Sequence, residues 1–130
     1  MLTGSCLCKS VRYTITDDPM DMQYCHCSIC RKAHASAFSV GASIPAISFT
    51  LIEGEGLLGS YESSAGKHRK FCIQCGTHLF AVQSSKPDKI RLRIATLDSK
   101  IMVKPNKHLH VSSKAEWHSI TDNLEQLLEH

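Results

Sequence analysis

Seven cysteines in three tight groups constrain this chain more than any other feature of its sequence. The groups are Cys6-x-Cys8, Cys25-x-Cys27-x-x-Cys30 and Cys72-x-x-Cys75. Such short spacings bring two or three sulfurs from one turn within about 2.3 Å of a single ion, the usual way of assembling a zinc site. The odd number of cysteines also excludes complete disulfide pairing. The cysteine pattern therefore predicts a zinc-binding protein.

The remaining composition predicts one folded domain outside the membrane. The chain has 130 residues, of which 42% are hydrophobic and 21% are charged, enough to bury a single core. The most apolar stretch, Phe38 to Ile52, is interrupted by serine, glycine and proline, which excludes a membrane helix. The N-terminal segment lacks the basic and apolar regions of a secretory signal, so we expect a cytoplasmic protein.

We assign residues 1–127 to this single domain. The last three residues, Leu128-Glu129-His130, resemble the start of a vector-encoded histidine tag and carry no functional argument. Lysine and arginine outnumber the acidic residues by 15 to 12, which gives a net charge of +3. The basic residues are scattered apart from Lys67 to Lys70, and this pattern does not predict a nucleic-acid partner.

Alternation of apolar and polar residues predicts six short strands bounded by turns, typical of a β-sandwich or small barrel. Helix signals are scarce. Ser28 is a candidate cap for one short helix running through Arg31 and Ala33. Leu124, Leu127 and Leu128 share a helical face and predict a second short helix. The apolar positions of the strands are Val11-Tyr13-Ile15, Phe38-Val40-Ala42, Ile47-Phe49-Leu51, Leu79 to Val82, Ile90-Leu92-Ile94 and Leu109-Val111.

Spacing favours one division of the cysteines without excluding others. Cys6 and Cys8 with Cys72 and Cys75 would make a closed four-sulfur site, which leaves the middle trio with an open position for water or a ligand. A zinc ribbon would instead join Cys27 and Cys30 to the last pair, across a longer gap than is usual. That arrangement would leave three cysteines outside the metal site.

A purely structural module with two zinc ions is the main competing interpretation. In that case His26 or His78 fills the fourth position beside the middle cysteines and removes the reactive site. Arg31, Lys32 and Arg69 adjoin cysteine motifs, where they are candidates to contact substrate carboxylates. The alternative for each of these three cations is an exposed solubilising charge.

Three blocks of sequence resemble the glutathione-dependent formaldehyde-activating enzyme family, which includes centromere protein V. The first is Gly4-Ser5-Cys6-Leu7-Cys8 followed by Val11-Arg12-Tyr13. The second is Cys25-His26-Cys27-Ser28-Ile29-Cys30-Arg31-Lys32, and the third is Arg69-Lys70-Phe71-Cys72-Ile73-Gln74-Cys75-Gly76-Thr77. The later segments Ala95 to Asp98 and His108 to Trp117 resemble the family's closing blocks, so the likeness covers nearly the whole chain.

The resemblance implies a mainly β, zinc-binding fold of two twisted sheets with one or two short helices. It implies a structural zinc held by Cys6, Cys8, Cys72 and Cys75, and a catalytic zinc held by Cys25, Cys27 and Cys30. These make two zinc ions per chain. The implied activity is that of a carbon–sulfur lyase, which condenses formaldehyde with the thiol of glutathione to form S-hydroxymethylglutathione.

Chemistry at the middle site follows from this resemblance. Sulfur is a softer ligand than water, so a thiol suits the fourth position of a three-thiolate zinc. We expect a small-molecule thiol and an aldehyde as partners, with Arg69 as a contact of glutathione. Where the family often has glycine, this chain has Ala35 and Ala95. The alternative function is a non-catalytic two-zinc module that carries glutathione or binds a protein partner.

Overall fold

A computed structural model of the chain describes residues 1–130 and contains eleven strands and one α-helix. The helix, α1, spans Ser28–His34. The strands are β1 (Leu2–Ser5), β2 (Arg12–Ile15), β3 (Met22–Cys25), β4 (Ser39–Pro45), β5 (Phe49–Glu53), β6 (Leu58–Ser64), β7 (Lys67–Cys72), β8 (His78–Gln83), β9 (Lys89–Arg93), β10 (Lys107–Leu109) and β11 (Glu125–Gln126).

The strands form two sheets. The small sheet has the order β1-β2-β5, and the large sheet has the order β11-β10-β3-β4-β9-β8-β7-β6. Most neighbours are antiparallel, but β10 runs parallel to both β3 and β11. The expectation of a mainly β fold with two sheets and few helices is confirmed. No helix in the structure combines the length and apolar character needed to cross a membrane.

One face of each sheet contributes to a shared hydrophobic core. Tyr13 and Ile15 alternate with exposed or half-buried residues along β2 and are fully buried, as the strand periodicity predicts. Tyr13 stacks on Phe49 with ring centroids 5.1 Å apart, and Phe49 packs against Phe80 of the large sheet at 4.9 Å. Because Leu92 of the large sheet joins the same cluster, burial of apolar surface holds the sheets together.

The other face of the large sheet is polar. On β9, Leu92 points into the core, so Arg91 and Arg93 point to the opposite face. Their neighbours on that face are small: Arg93 pairs with Gly41, and Arg91 pairs with Ala81. A Cβ atom on Gly41 would lie 2.7 Å from Arg91 Nε. The small residues therefore leave room for the two long cationic side chains to lie across the sheet.

The N-cap of helix α1 lies one residue before the predicted cap. Cys27 is the N-cap, with extended backbone angles, and its Sγ accepts a hydrogen bond from the Cys30 N–H at 3.3 Å. Ser28 is the first helical residue, so the prediction of a Ser28 cap is wrong. The helix ends at His34, and its C-cap, Ala35, has a left-handed φ of 49°. A side chain is disfavoured in that conformation, so the backbone at this position favours glycine.

The predicted second helix is wrong. The segment near Leu124 forms β11, which pairs in parallel with β10. The Leu127 N–H donates to the His108 carbonyl at 2.9 Å, and the Ser112 N–H donates to the Leu128 carbonyl at 3.1 Å. A helix of this length is marginal by itself, and an open sheet edge supplies better backbone partners.

Candidate metal centres and substrate pocket

The first cysteine group joins two turns that are distant in sequence. Cys6 and Cys8 lie in the turn from β1 to β2, whereas Cys72 ends β7 and Cys75 lies in the turn from β7 to β8. All four sulfurs lie within 4.8 Å of one another. The Cys8 sulfur lies 3.6 Å from that of Cys6 and 3.8 Å from that of Cys72. Tetrahedral zinc with 2.3 Å bonds separates its sulfurs by about 3.8 Å, so this group fits a closed zinc site.

N–H donors surround these sulfurs. The Val11 N–H donates to Cys6 Sγ at 3.3 Å, and the Gln74 side-chain amide donates to Cys8 Sγ at 3.4 Å. Bonds of this kind favour the thiolate that a metal requires. A hydrogen bond from the Thr77 hydroxyl likewise lowers the pKa of Cys75 to about 5. Gly76 supplies the left-handed residue of this turn, with φ 80°.

The second group is local in sequence. Cys25 ends β3, Cys27 caps α1, and Cys30 lies in the first turn of α1. Their sulfurs also lie within 4.8 Å of one another, and no histidine nitrogen or carboxylate joins the group. The structure therefore separates Cys27 and Cys30 from the last cysteine pair, unlike a zinc ribbon. Three sulfurs leave a metal with one position for an exogenous ligand.

The thiols of the trio are electrostatically unequal. Hydrogen bonds from Cys25 and Cys27 lower the pKa of Cys30, and hydrogen bonding to Cys27 and Cys30 raises the pKa of Cys25. Arg69 also donates from Nη2 to Cys30 Sγ at 3.7 Å. The site thus favours negative charge on the Cys30 sulfur.

Two buried arginines accompany the trio. Arg69 and Arg93 are only 3% and 5% exposed, and neither forms a salt bridge with a carboxylate. Burial lowers the pKa of Arg93 to about 10, and the charge of Cys30 opposes that shift. An uncompensated buried charge is costly. The thiolates are therefore the counter-charge that the fold provides for these cations.

A cavity of about 350 Å³ lies next to Arg93. Ser39, which pairs with Cys25 across β3 and β4, lines it together with His34 and His78. Four polar atoms of these residues are buried without a hydrogen-bond partner: Arg93 Nη2, Ser39 Oγ, His34 Nε2 and His78 Nδ1. Buried polar atoms are nearly always paired. Four unpaired ones around one cavity indicate a pocket for a polar small molecule.

The two histidines of this pocket are neutral near pH 7. Burial is the main cause that lowers the pKa of His34 to about 4, and Arg93 adds to it. The pKa of His78 is lowered by burial and by Arg93 and Arg69. The two rings lie 5.0 Å apart. A neutral imidazole has one donor and one acceptor nitrogen, so both rings are able to hydrogen-bond an uncharged carbonyl or hydroxyl group.

His26 does not take the metal position considered from the sequence. It is fully buried, and its Nε2 lies 2.8 Å from His108 Nδ1. His108 Nε2 lies 3.0 Å from both carboxylate oxygens of Asp122. Because a carboxylate only accepts, His108 carries its proton on Nε2 and accepts from His26. This hydrogen-bonded chain fixes the loop between Cys25 and Cys27.

The cations considered from the sequence occupy different environments. Arg69 is buried against Cys30, as described above. Arg31 donates from Nη1 to the Ser113 carbonyl at 2.9 Å, and Lys32 is exposed. Sequence reasoning missed Arg93 and Asp122. Two arginines at alternating positions of an apolar strand signal a charged sheet face, whereas nothing local distinguishes Asp122.

The fold and the two cysteine groups define a class of mainly β proteins with cysteine clusters that could hold metal ions. Residues 1–113 match the family model described as glutathione-dependent formaldehyde-activating enzyme. A crystal structure of a Rhodobacter sphaeroides protein matches with a TM-score of 0.66 and 21% identity, over 78% of this chain and 92% of that chain. The chain therefore belongs to the glutathione-dependent formaldehyde-activating enzyme family.

Curated relatives carry related names. A Halomonas elongata protein with the provisional name glutathione-dependent formaldehyde-activating enzyme is 27% identical, over 90% of this chain and 79% of its own length. An Emericella nidulans protein with the same provisional name is 31% identical, over 58% of this chain and 38% of its own. An uncharacterized lyase of Schizosaccharomyces pombe is 34% identical, over 59% of this chain and 54% of its own. The chain thus spans about half or less of the last two relatives.

Proposed function

We propose that this protein is a zinc-dependent lyase-type enzyme that adds formaldehyde, or another small aldehyde, to the thiol of glutathione. The observation that carries this proposal is the three-sulfur group of Cys25, Cys27 and Cys30, which lacks a fourth protein ligand and lies beside a pocket with unpaired polar atoms. The names of the relatives support a lyase and a glutathione-dependent reaction.

Two zinc ions have different roles in this proposal. The four-sulfur group holds a structural ion, since it has no open position and ties two distant turns together. The trio would hold the second ion, whose one open position would serve either to lower the pKa of a substrate thiol or to polarise a carbonyl. The sulfur-only ligand sets suit zinc. The proposal thus expects two zinc ions per chain.

The protein's own residues position the thiol substrate. Arg69 and Arg93 lie against the trio without a carboxylate partner. Their guanidinium groups are therefore available to bind a negatively charged group of the substrate, either its sulfur or a nearby carboxylate. Such charge-assisted bonds are stronger than neutral ones. A buried position also increases their effect by excluding water.

The reaction itself needs one bond made and one proton moved. The thiolate sulfur attacks the carbonyl carbon, and the π electrons of the carbonyl pass to its oxygen. That oxygen takes a proton equivalent to the one lost by the thiol, which completes the hydroxymethyl thioether. Ser39 Oγ and the neutral rings of His34 and His78 line the pocket, where their donors stabilise the developing oxyanion.

Ligand entry and adduct formation, measured on one sample, test this proposal. Cobalt-substituted protein should change its sulfur-to-cobalt charge-transfer bands when glutathione is added, and ¹³C-formaldehyde should then give the hydroxymethyl adduct faster than glutathione alone does. The matched control is Cys25→Ser, in which both responses should weaken. A spectrum that changes without accelerated adduct formation would favour a glutathione carrier. A spectrum that no thiol changes would favour a structural two-zinc module.

A further inference from the structure

Six cations lie along the polar face of the large sheet or at its β8–β9 end. None of them forms a salt bridge with a carboxylate, although Asp88 lies in the same turn as two of them. Paired exposed charges of both signs are the usual arrangement of a protein surface. One sign alone focuses a positive potential on this face. The six cations are Lys67, Arg69, Lys86, Lys89, Arg91 and Arg93.

Four of these cations line a second cavity. Its volume is about 240 Å³, and Lys67, Lys86, Lys89 and Arg91 surround it. Ser43 lines it as well, from the strand that pairs with Arg91. We name this cavity the lysine groove. Its lining contains no acidic residue, so the groove offers positive charge and hydrogen-bond donors to an anion.

The inner wall of the groove is partly buried, unlike a set of free surface lysines. Lys67 and Arg91 are half-buried, and burial lowers the pKa of both side chains. Arg91 also donates from Nη1 to Gln23 Oε1 at 2.6 Å, so its guanidinium is held in place. Fixed, partly desolvated cations bind anions more strongly than mobile solvated ones.

Strand β9 links the groove to the neighbourhood of the cysteine trio. Arg91 lines the groove, and Arg93 faces Cys30 two residues along the same strand. Two residues of a strand span about 7 Å. The negative charges of Cys25 and Cys30 also act on both Lys67 and Arg91. Arg69, which contacts Cys30, pairs with Ala81, another lining residue of the groove.

We propose that the lysine groove binds a distal carboxylate of the thiol substrate and selects an extended, peptide-sized thiol over a short one. This inference rests on the proposed function, because it takes the trio as the site of the thiol. In an extended tripeptide with a central cysteine, the sulfur lies about 7 Å from a terminal carboxylate, which is comparable with the step of about 7 Å along the strand from Arg93 beside the trio to Arg91 in the groove. A short thiol places its carboxylate near Arg69 and Arg93 and leaves the groove empty.

Charge reversal at the exposed rim tests this subsite. Lys86 and Lys89 are exposed, so Lys86→Glu with Lys89→Glu should leave the fold intact. Titration of glutathione into the metal-loaded protein should show at least about ten-fold weaker binding in this double variant, as opposite charges replace attractive ones. The loss should shrink at high salt. Binding of 2-mercaptoethanol should change by less than about two-fold.

A second double variant controls for net charge. Lys100→Glu with Lys104→Glu makes the same change at two exposed lysines outside the groove. It should bind glutathione nearly as the unmodified protein does. Equal weakening in both double variants would overturn the proposal, since it would show a general effect of charge. Equal loss for glutathione and 2-mercaptoethanol in the groove variant would also overturn it.

Binding and turnover are measured separately, so the two proposals fail in different ways. If glutathione binding depends on the groove but no hydroxymethyl adduct forms faster, the subsite is supported and the enzymatic function is wrong. If turnover occurs and the groove variant binds glutathione normally, the function is supported and the subsite is wrong. Absence of glutathione binding in the unmodified protein would overturn both.

Discussion

His26 Nε2 lies 2.8 Å from His108 Nδ1 in the interior of the protein. This contact joins the middle cysteine loop to a segment more than eighty residues later, and Asp122 extends it to the outside of the fold. Asp122 lies beyond residues 1–113, the part that matches the family model. The C-terminal segment of this chain therefore helps to fix the geometry of a cysteine site to which it contributes no ligand.

Removing the His108 nitrogens should destabilise the protein. His108→Phe keeps a ring against Tyr24, on which His108 stacks at 4.6 Å, but leaves the buried His26 N–H without an acceptor. An unpaired buried donor costs about 1–3 kcal/mol, which urea unfolding should detect as a lower midpoint. Asp122→Asn should lower the midpoint by less, because the amide oxygen still accepts. Asp18→Asn, at an exposed carboxylate, should have no effect.

The two cysteine groups should give two zinc ions per fully loaded chain. Elemental analysis of protein purified without chelator measures this number directly. Cys27→Ser should lose one ion, because Cys27 belongs only to the trio. One ion in the fully loaded unmodified protein would show that the division into four and three sulfurs does not describe its metal binding.

The four-sulfur site should contribute much more to stability than the trio. It cross-links the turn after β1 to the turn after β7, so metal binding there is coupled to folding. Cys75→Ser should therefore unfold the domain or lower its thermal midpoint sharply. Cys30→Ser should leave a folded protein with an impaired middle site. Similar midpoints for these two variants would contradict the different roles.

Replacing Ala35 with glycine should stabilise the protein, unlike the substitutions above. The Ala35 φ of 49° is left-handed, where a side chain is strained and glycine is not. Ala35→Gly should stabilise the protein by about 1 kcal/mol. The matched control, Ala33→Gly inside α1, should destabilise it by about 1 kcal/mol. Denaturant unfolding of both variants checks these opposite signs.

Tyr13 should make the protein sensitive to alkali. Burial raises the pKa of its phenol to about 12, while an unfolded tyrosine titrates near pH 10. Between pH 10 and pH 12 the phenol of Tyr13 loses its proton more readily in the unfolded chain than in the folded protein. The contribution of this phenol to folding stability is therefore complete below pH 10 and declines as the pH rises. Tyr13→Phe loses the 2.7 Å hydrogen bond to Thr96, worth about 1 kcal/mol at neutral pH. It should show a shallower decline above pH 10.

The sheet elements could be predicted where one face is apolar and the other polar. Alternation at Tyr13 and Ile15 identified β2, and alternation at Ile90 and Leu92 identified β9. The alternation pattern did not predict strands β6 and β7, because their residues are mostly polar and these strands are stabilised by pairing with each other. The spacing of the C-terminal leucines predicted a helix wrongly, because a local pattern carries no information about the unpaired edge of β10 with which this segment forms a strand.

The candidate site could be predicted only in part. Cysteine spacing and resemblance indicated which sulfurs lie together, and the structure places them in those two groups. Arg69 was noticed because it adjoins a cysteine motif. Arg93 and Ser39 lie outside the cysteine motifs, and only strand pairing brings them to the trio. Their role depends on register, which no local pattern expresses.

The sequence by itself determined the donor atoms and the core, because ligand chemistry and apolar periodicity are properties of neighbouring residues. The tertiary structure alone decided which groups face one another across the sheets. It places Arg69 and Arg93 beside the cysteine sulfurs with no carboxylate partner. It also pairs His26 with His108 and forms a cationic groove beside Arg91. Such relationships depend on long-range pairing and burial, which turn scattered residues into a single electrostatic environment.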